Sequence, residues 1–395
     1  MKYKFKDSRY VRMFEESEYG RQVVSTILQD PNLIRSNFGF WKEFFPADPT
    51  ALVTTNAGNA AIRISARMPE HATMADWRAP LGDSRLGEEG ASQSYNAGII
   101  DLITLGWQEN ALEREDREKV FEDYGSDAPL LLGYATNVLQ PRIDSIDMSL
   151  SNMAAQAMST GRVIYTGGKF IKGNVYEAPI PDENKATAGQ KAWSDPECNI
   201  LEQMSVIEKH YKEDVFGKPS MAMEWVIPYS IFTDILLKNK YVIEYIKINW
   251  LADKGQLINQ VASVPASVIT EEAFNTYVIG RYPGISPIKV VDEKQFDDGQ
   301  VVNGWKQGTV VLHARGNAGR TYRTSILDRT LSEKYGNSII SQAFTTAMNG
   351  VATVCNTTGI NGKYKFWATD VMAAATPILE TFLTHILVDI TKADD

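Results

Sequence analysis

The stretch VVDEKQFDDGQVVNGWKQGTVVLHARGNAGRTYRT, Val290 to Thr324, decides how this chain is read. Its apolar groups, Val290-Val291, Val301-Val302 and Val310-Val311-Leu312, are short enough for strands. Asp-Gly, Asn-Gly and Gly-Asn-Ala-Gly breakers separate them, the pattern of an antiparallel meander. The stretch holds no catalytic set, so its turns have to matter in some other way.

Working towards the C-terminus, Tyr364 to Trp367 reads as a strand. After Pro377 the alternation Phe382, Thr384, Ile386, Val388, Ile390 predicts a long strand internal to a sheet. Working back, Ile143, Ile146, Leu150, Met153 or Ala154, and Ala157 recur at helical steps between Pro141, suited to a first turn, and Gly161, suited to a stop. This predicts a long amphipathic helix with Asp144, Asp147 and Ser151 on its other faces. Its Met and Ala content reads as core packing. Arg162 to Tyr165 and Asn174 to Glu177 predict a hairpin, and Asp182 to Asp195 an exposed loop. Leu201, Met204, Ile207 and Tyr211 mark a helix, Met221 to Val226 a strand, and Pro228 the start of another helix. Thr270 caps a further helix through Phe274, Tyr277 and Val278 that Gly280 closes. Strands and helices alternate without βαβ repeats, which predicts an α+β fold.

The first part reads as arms. Val11 to Leu28 is helical in pattern, and Phe38, Phe40, Trp41, Phe44 and Phe45 form an aromatic cluster before Pro46. Such a cluster needs cover, either on the chain's own core or on a neighbouring subunit. AIRISAR, Ala61 to Arg67, alternates as a half-buried strand, and Ile99 to Leu105 returns as a second. The polar, Gly-rich passage between them, His71 to Asn96, predicts an extended hairpin arm that packs on another chain. Glu113 to Tyr124 reads as a charged helix.

At 395 residues the chain can bury a large core, and 44% hydrophobic with 23% charged residues is ordinary globular composition. The N-terminus lacks the apolar centre of a secretory signal, and no apolar run is long enough to cross a bilayer. Cys198 and Cys355 make neither a disulfide framework nor a zinc spacing and read as reduced thiols. The net charge of -9 argues against gripping nucleic acid through a basic surface. Residues 1–42 carry eight basic and five acidic side chains, and residues 83–127 four basic and twelve acidic, net +3 and -8.

In this order of elements the chain resembles a tailed-bacteriophage major capsid protein of the Hong Kong 97 fold, similar in layout to the lambda capsid protein E family. The resemblance rests on Asp76-Trp77-Arg78-Ala79-Pro80 in the arm, Pro141-Arg142 opening the long helix, and Asn303 to Gly319. Within that last span Gly308, Val310, Val311, Leu312, Gly316 and Gly319 follow a family strand-and-turn pattern. It implies an N-terminal arm over 1–55 and a strand with an extended hairpin loop over 56–112. A peripheral domain with the spine helix follows over 113–200, a mainly axial domain over 201–350, and closing strands over 351–395. The implied function is self-assembly, as pentamers and hexamers, into the icosahedral shell of a virion made in the bacterial host cytoplasm. Such a shell encloses double-stranded DNA without binding it specifically, uses no membrane, and can meet portal, scaffolding or decoration proteins.

No Lys lies between Lys42 and Lys119, so a Lys–Asn cross-link through the hairpin arm is not expected. Nor is a built-in scaffolding domain ahead of the capsid body. The residues expected at contacts between copies are Arg9, Arg12, Arg21, Trp77, Arg78, Arg85, Glu88, Glu89, Asn303, Gly316 and Arg320. Acids including Glu113, Glu115 and Asp116 either meet basic groups such as Arg35 on neighbours or form a solvated face.

Enzyme signatures are missing from the sequence. His71, His210, His313 and His385 are scattered with no ligand pair, and neither HExxH nor Cys-x-x-Cys occurs. Lys294 spoils an EF-hand reading of Asp292 to Gly299. Arg315 to Arg320 lacks a Walker pattern, and no G-x-S-x-G is found. No catalytic residue, metal ligand or cofactor is therefore expected. Two other readings stay open: an encapsulin-like compartment that encloses cargo enzymes, and an α+β hydrolase with a dispersed carboxylate pair.

Overall fold

The computed structural model describes residues 40–56, 61–67, 92–100, 102–108, 135–165, 173–255, 258–279, 281–292, 294–297, 300–325, 341–347, 351–361 and 364–393. The strands expected in Val290 to Thr324 are present, but they do not form a meander. Lys294–Asp297 and Gln300–Asn303 pair as a two-stranded hairpin, with Asp297 opposite Gln300. Ile288–Val291 instead lies parallel to Met223–Pro228, with Trp225 opposite Ile288. Thr309–Ala314 is the middle of a five-stranded sheet, antiparallel to His385–Asp389 on one side and to Met223–Pro228 on the other. Gly319–Ser325 joins a different sheet, parallel to Ala47–Asn56. The reason lies in the run Val310-Val311-Leu312: three consecutive buried residues need cover on both faces, which suits a central strand better than a one-sided ribbon.

The chain divides into two compact units, each assembled from three segments. The first takes Met1–Ile62, Gly98–Ala154 and Arg320–Ile378; the second takes Arg63–Ala97, Ala155–Gly319 and Leu379–Asp395.

In the first unit, Ala47–Asn56, Gly319–Ser325 and Ala375–Leu379 supply a three-stranded sheet. A four-stranded antiparallel sheet runs in the order Ser341–Ala347, Ala352–Asn361, Tyr364–Ala373, Ile103–Gln108. Ile103–Gln108 is therefore not the partner of Ala61–Arg67. That partner is Ser92–Ile99. Its sequence, SQSYNAGI, is polar enough to read as loop, but a two-stranded ribbon is held by backbone pairing and needs little apolar alternation.

The expected helix is Gln140–Thr160. It stops where Gly161 adopts φ +68° and donates its N–H to the Ala157 carbonyl at 2.9 Å, the left-handed cap that glycine provides at low cost. Ile143, Ile146, Leu150, Met153, Ala154 and Ala157 are buried as predicted. Asp147 and Ser151, expected on other faces, are buried too. At Asp147 the reason is the short helix Phe40–Phe44, from which the Trp41 indole N–H donates to Asp147 Oδ1 while Lys42 Nζ lies 3.2 Å from the same oxygen. Trp41, Phe44 and Phe45 are buried within this unit, and Thr321 Oγ1 donates to the Phe45 carbonyl at 2.6 Å. For these three the reading of cover by a neighbouring subunit is overturned.

In the second unit the five-stranded sheet runs Lys185–Thr187, His385–Asp389, Thr309–Ala314, Met223–Pro228, Ile288–Val291. The last strand is internal, as its alternation predicts, but spans only five residues because Phe382–Thr384 is a 3-10 turn. Asp182 to Asp195 is not a plain exposed loop. It supplies the edge strand, paired parallel through Lys185 and Leu387, and it buries Asn184, Ala188 and Trp193. Lys-rich composition hides such a strand, since an edge needs hydrogen bonds on one side only.

The hairpin Arg162–Tyr165 with Gly173–Glu177 is as expected, as is the helix Ile200–His210. Thr270 Oγ1 caps its helix by accepting from Ala273 N at 3.1 Å, while Gly280 lies outside the described residues. A helix not expected from sequence, Lys240–Asp253, starts at Asn239, whose Oδ1 accepts from Tyr241 N and Val242 N and whose amide donates to the Cys198 carbonyl. Trp193, Met204, Phe216, Trp225, Phe232 and Phe274 form the heart of this unit's core. The helical patterns expected at Val11 to Leu28 and Glu113 to Tyr124 lie outside the described residues. Among the described residues, no helix is long and apolar enough to cross a membrane.

Candidate functional site

Three of the expected contact residues are described. Asn303 ends a strand and is exposed; its Oδ1 accepts from Trp305 N at 2.8 Å, closing a turn that leads into the central strand. Trp305 itself is buried and donates its indole N–H to the Thr309 carbonyl at 2.7 Å. Gly316 sits at the tip of the turn after that strand, at φ +122° with open space where a side chain would go. The tip is exposed at Arg315, Gly316 and Asn317, while Ala318 anchors it, its carbonyl accepting from Glu380 N and Thr381 N at 3.0 Å each. The result is an exposed turn tied down at its base by backbone hydrogen bonds.

Arg320 belongs to the first unit and is half-buried. Its guanidinium donates to Thr50 Oγ1 and to the Tyr322 hydroxyl at 3.0 Å each and lies 3.9 Å from Asp48. Hydrogen bonds from Thr50, helped by Arg320, hold the Asp48 carboxyl below its ordinary range. Arg9, Arg12, Arg21, Trp77, Arg78, Arg85, Glu88 and Glu89 lie outside the described residues, as do Arg35, Glu113, Glu115 and Asp116.

The second unit also carries a groove of about 960 Å³ between the edge strand Lys185–Thr187 and the helix Ile200–His210, reaching Lys191, Glu197 and Tyr241. Val206 is 61% exposed beside it. Several of its polar groups are already engaged: Lys240 meets Glu197 at 2.5 Å, Asn199 donates to Glu202 at 3.0 Å, and His210 pairs with Asp214 at 2.8 Å. The Tyr211 hydroxyl donates to the Glu183 carbonyl, and burial pushes its pKa up to about 12. The Cys198 thiol nearby is pushed up to about 11 by burial and by Asp195. Neither group is an activated nucleophile at neutral pH. Among the described residues no cluster of His, Cys, Asp and Glu could hold a metal ion.

Sequence reading missed the buried polar groups that fasten the second unit together. Glu208 Oε1 accepts from Lys212 Nζ at 2.6 Å and Ser286 Oγ at 2.5 Å, and Oε2 from Trp225 Nε1 at 3.0 Å and Ser286 N at 2.7 Å. The signal was available: the spacing Leu201, Met204, Glu208 puts this acid on the apolar stripe of its helix.

No protein-family model matches the sequence, and no curated protein does. Among solved structures, the protein assigned as the capsid protein of an E. coli CFT073 prophage aligns over 96% of this chain and 97% of its own, with a TM-score of 0.50 at 15% identity. The chain has a phage capsid fold. Subunits of the mature capsid of bacteriophage PhiM1 (10% identity, 86% of this chain and 84% of that one) and of the capsid of cyanophage P-SCSP1u (8%, 87% and 86%) align with TM-scores of 0.39 each. The mixture of helices and strands is the α+β class that the sequence resemblance implied.

Proposed function

We propose that this chain is the major capsid protein of a tailed double-stranded DNA phage, assembling with copies of itself into an icosahedral shell. The observation that carries the reading is the capsid fold extending end to end, over 96% of this chain and 97% of the prophage protein. The surface agrees with it. The exposed turn at Gly316 is free to serve as a recognition loop, whereas the groove holds several engaged side chains and a Tyr211 hydroxyl that burial keeps protonated. A structural role without catalysis follows from the same reading.

On it, residues 113–200 and 201–350 supply most of the peripheral and axial domains, between the arm at 1–55, the hairpin loop at 56–112 and the closing strands at 351–395. Asn303 and Gly316, with Arg9, Arg12, Arg21, Trp77, Arg78, Arg85, Glu88, Glu89 and Arg320, meet neighbouring copies. Assembly takes place in the bacterial host cytoplasm.

Expression of the full chain, followed by sedimentation and negative-stain electron microscopy, tests the proposal. Closed shells of uniform diameter are expected, and a monomer or small soluble oligomer under all assembly conditions refutes it. Particles carrying cargo protein and no DNA after production in a phage-infected host would favour the encapsulin-like reading instead.

A further inference from the structure

Three neighbouring strands of the second unit place Glu224, His313 and His385 side by side. His313 is the register partner of Glu224 in one pair of strands and of His385 in the other. Both imidazoles are fully buried, their ring centroids 6.1 Å apart. His385 Nε2 lies 2.7 Å from the carbonyl oxygen of Met158, in the last turn of the long helix. That nitrogen must donate, so the ring ties the end of the helix to the sheet. The charged neighbours are few. Glu224 Oε2 is 3.9 Å from His313 Nε2, Lys289 acts on His313 from the edge strand, and Arg315 acts on Glu224. The helix side presents backbone at Met158 and the Ser159 hydroxyl, which accepts from Lys306 N.

Burial pushes the His313 pKa down to about 3, with His385 and Lys289 adding to the effect and a backbone hydrogen bond at Ala314 opposing it. Burial likewise takes His385 down to about 4 against the bond to Met158. A second positive charge in so dry a place is repelled by the first.

We propose that the His313–His385 pair is an acid-sensitive fastener, which holds the end of the long helix to the central sheet while both rings are neutral and releases it when they take up protons. The inference concerns this unit alone and does not depend on shell assembly. In the released form each ring titrates near its ordinary 6.5; in the fastened form it titrates far lower. The fastened form is therefore favoured fully above pH ~6.5 and loses about tenfold per pH unit for each ring as pH falls below that value, about a hundredfold for the pair. Only at the depressed native values would the loss level off.

Hydrogen exchange of the full chain, read by mass spectrometry and corrected for intrinsic rates, tests this. Peptides spanning 153–165 and 385–393 should lose at least about a hundredfold in protection between about pH 7 and about pH 5, while a peptide spanning 352–361 stays protected. His385→Gln, which can still donate to Met158 but takes no proton, and His313→Gln should each flatten the loss. If neither variant folds, exchange of the imidazole C2 hydrogen in the unaltered protein should place both histidines' midpoints well below 6.5. Unchanged protection in the unaltered protein at about pH 5, an undiminished loss in both variants, or native midpoints near 6.5 would overturn the proposal.

Discussion

Glu208 offers the sharpest test of how the second unit is held. Its two oxygens receive four hydrogen bonds, from Lys212, from the indole of Trp225, and from the hydroxyl and backbone of Ser286. Glu208→Ala leaves the Trp225 and Ser286 N–H groups buried without acceptors, at about 1–3 kcal/mol each, and strips Lys212 of its counter-ion. Lys212 keeps the Ser286 hydroxyl at 3.2 Å and reaches solvent, its side chain being 19% exposed, so the contributions overlap. The loss expected is about 3–5 kcal/mol, the range for breaking a buried pair from one side.

Glu208→Gln behaves differently. Its carbonyl can take the Oε2 position and keep Trp225 and Ser286 N, while its amide donates to the Ser286 hydroxyl, which can accept as well as donate. Only the pairing with Lys212 goes, at about 1–2 kcal/mol. Native-state hydrogen exchange over Met223–Pro228 reads local opening without requiring the whole chain to unfold in one step. Exchange should speed up by about 150-fold or more in the Ala variant and by about 5- to 30-fold in the Gln variant. A change below about fivefold in the Ala variant, or equal changes in both, would refute the reasoning.

Three further outcomes are expected. Gly161→Ala forces an L side chain to φ +68° with its Cβ against Ile180 Cδ1, so the end of the long helix should lose about 2 kcal/mol or more, visible as a lower thermal midpoint. Burial raises the Asp147 carboxyl above its ordinary 3.8, ahead of the opposing pull of Lys42. The protonated form is favoured in the fold, so this region should gain stability as pH falls from neutral through that raised value and lose it as pH rises, the reverse of the histidine pair. Asp147→Asn should abolish the gain in exchange over residues 143–154, and an unchanged pH dependence would count against it. Finally, Cys198, fully buried and pushed up to about 11, should resist iodoacetamide in the folded protein at about pH 8 and react once urea unfolds it.

Elements carried by local periodicity were legible. The helix Gln140–Thr160 follows from its apolar steps and its Pro and Gly ends, and the hairpin at Arg162 from its turn. Pairing was not legible, because it joins residues far apart. Nothing near Val310 says that Val388 and Val226 lie beside that strand, and the tempting Gly breaks suggested sequential neighbours instead. Polar edges escaped for another reason: Lys185–Thr187 and Ser92–Ile99 are strands by virtue of backbone bonds, which leave no hydrophobic trace. The buried charges were hidden by their company. Asp147 is met by Trp41 and Lys42, more than a hundred residues earlier. Turn chemistry placed Asn303 and Gly316 in turns, where the structure has them, while the groove beside Val206 needs a helix and a distant edge strand brought together.

The position of His385–Asp389 between Lys185–Thr187 and Thr309–Ala314 bears on how the protein is made. Synthesis delivers this strand after both of its neighbours, so the five-stranded sheet cannot close while translation is still short of residue 389. A copy interrupted earlier has lost the strand that separates the two, leaving Thr309–Ala314 with an open edge of buried-type residues. Such fragments would be sticky and quickly removed. For a protein proposed to build shells from many identical copies, closing the sheet with a strand made after both of its neighbours acts as an inspection step: only a chain translated past Asp389 completes this unit.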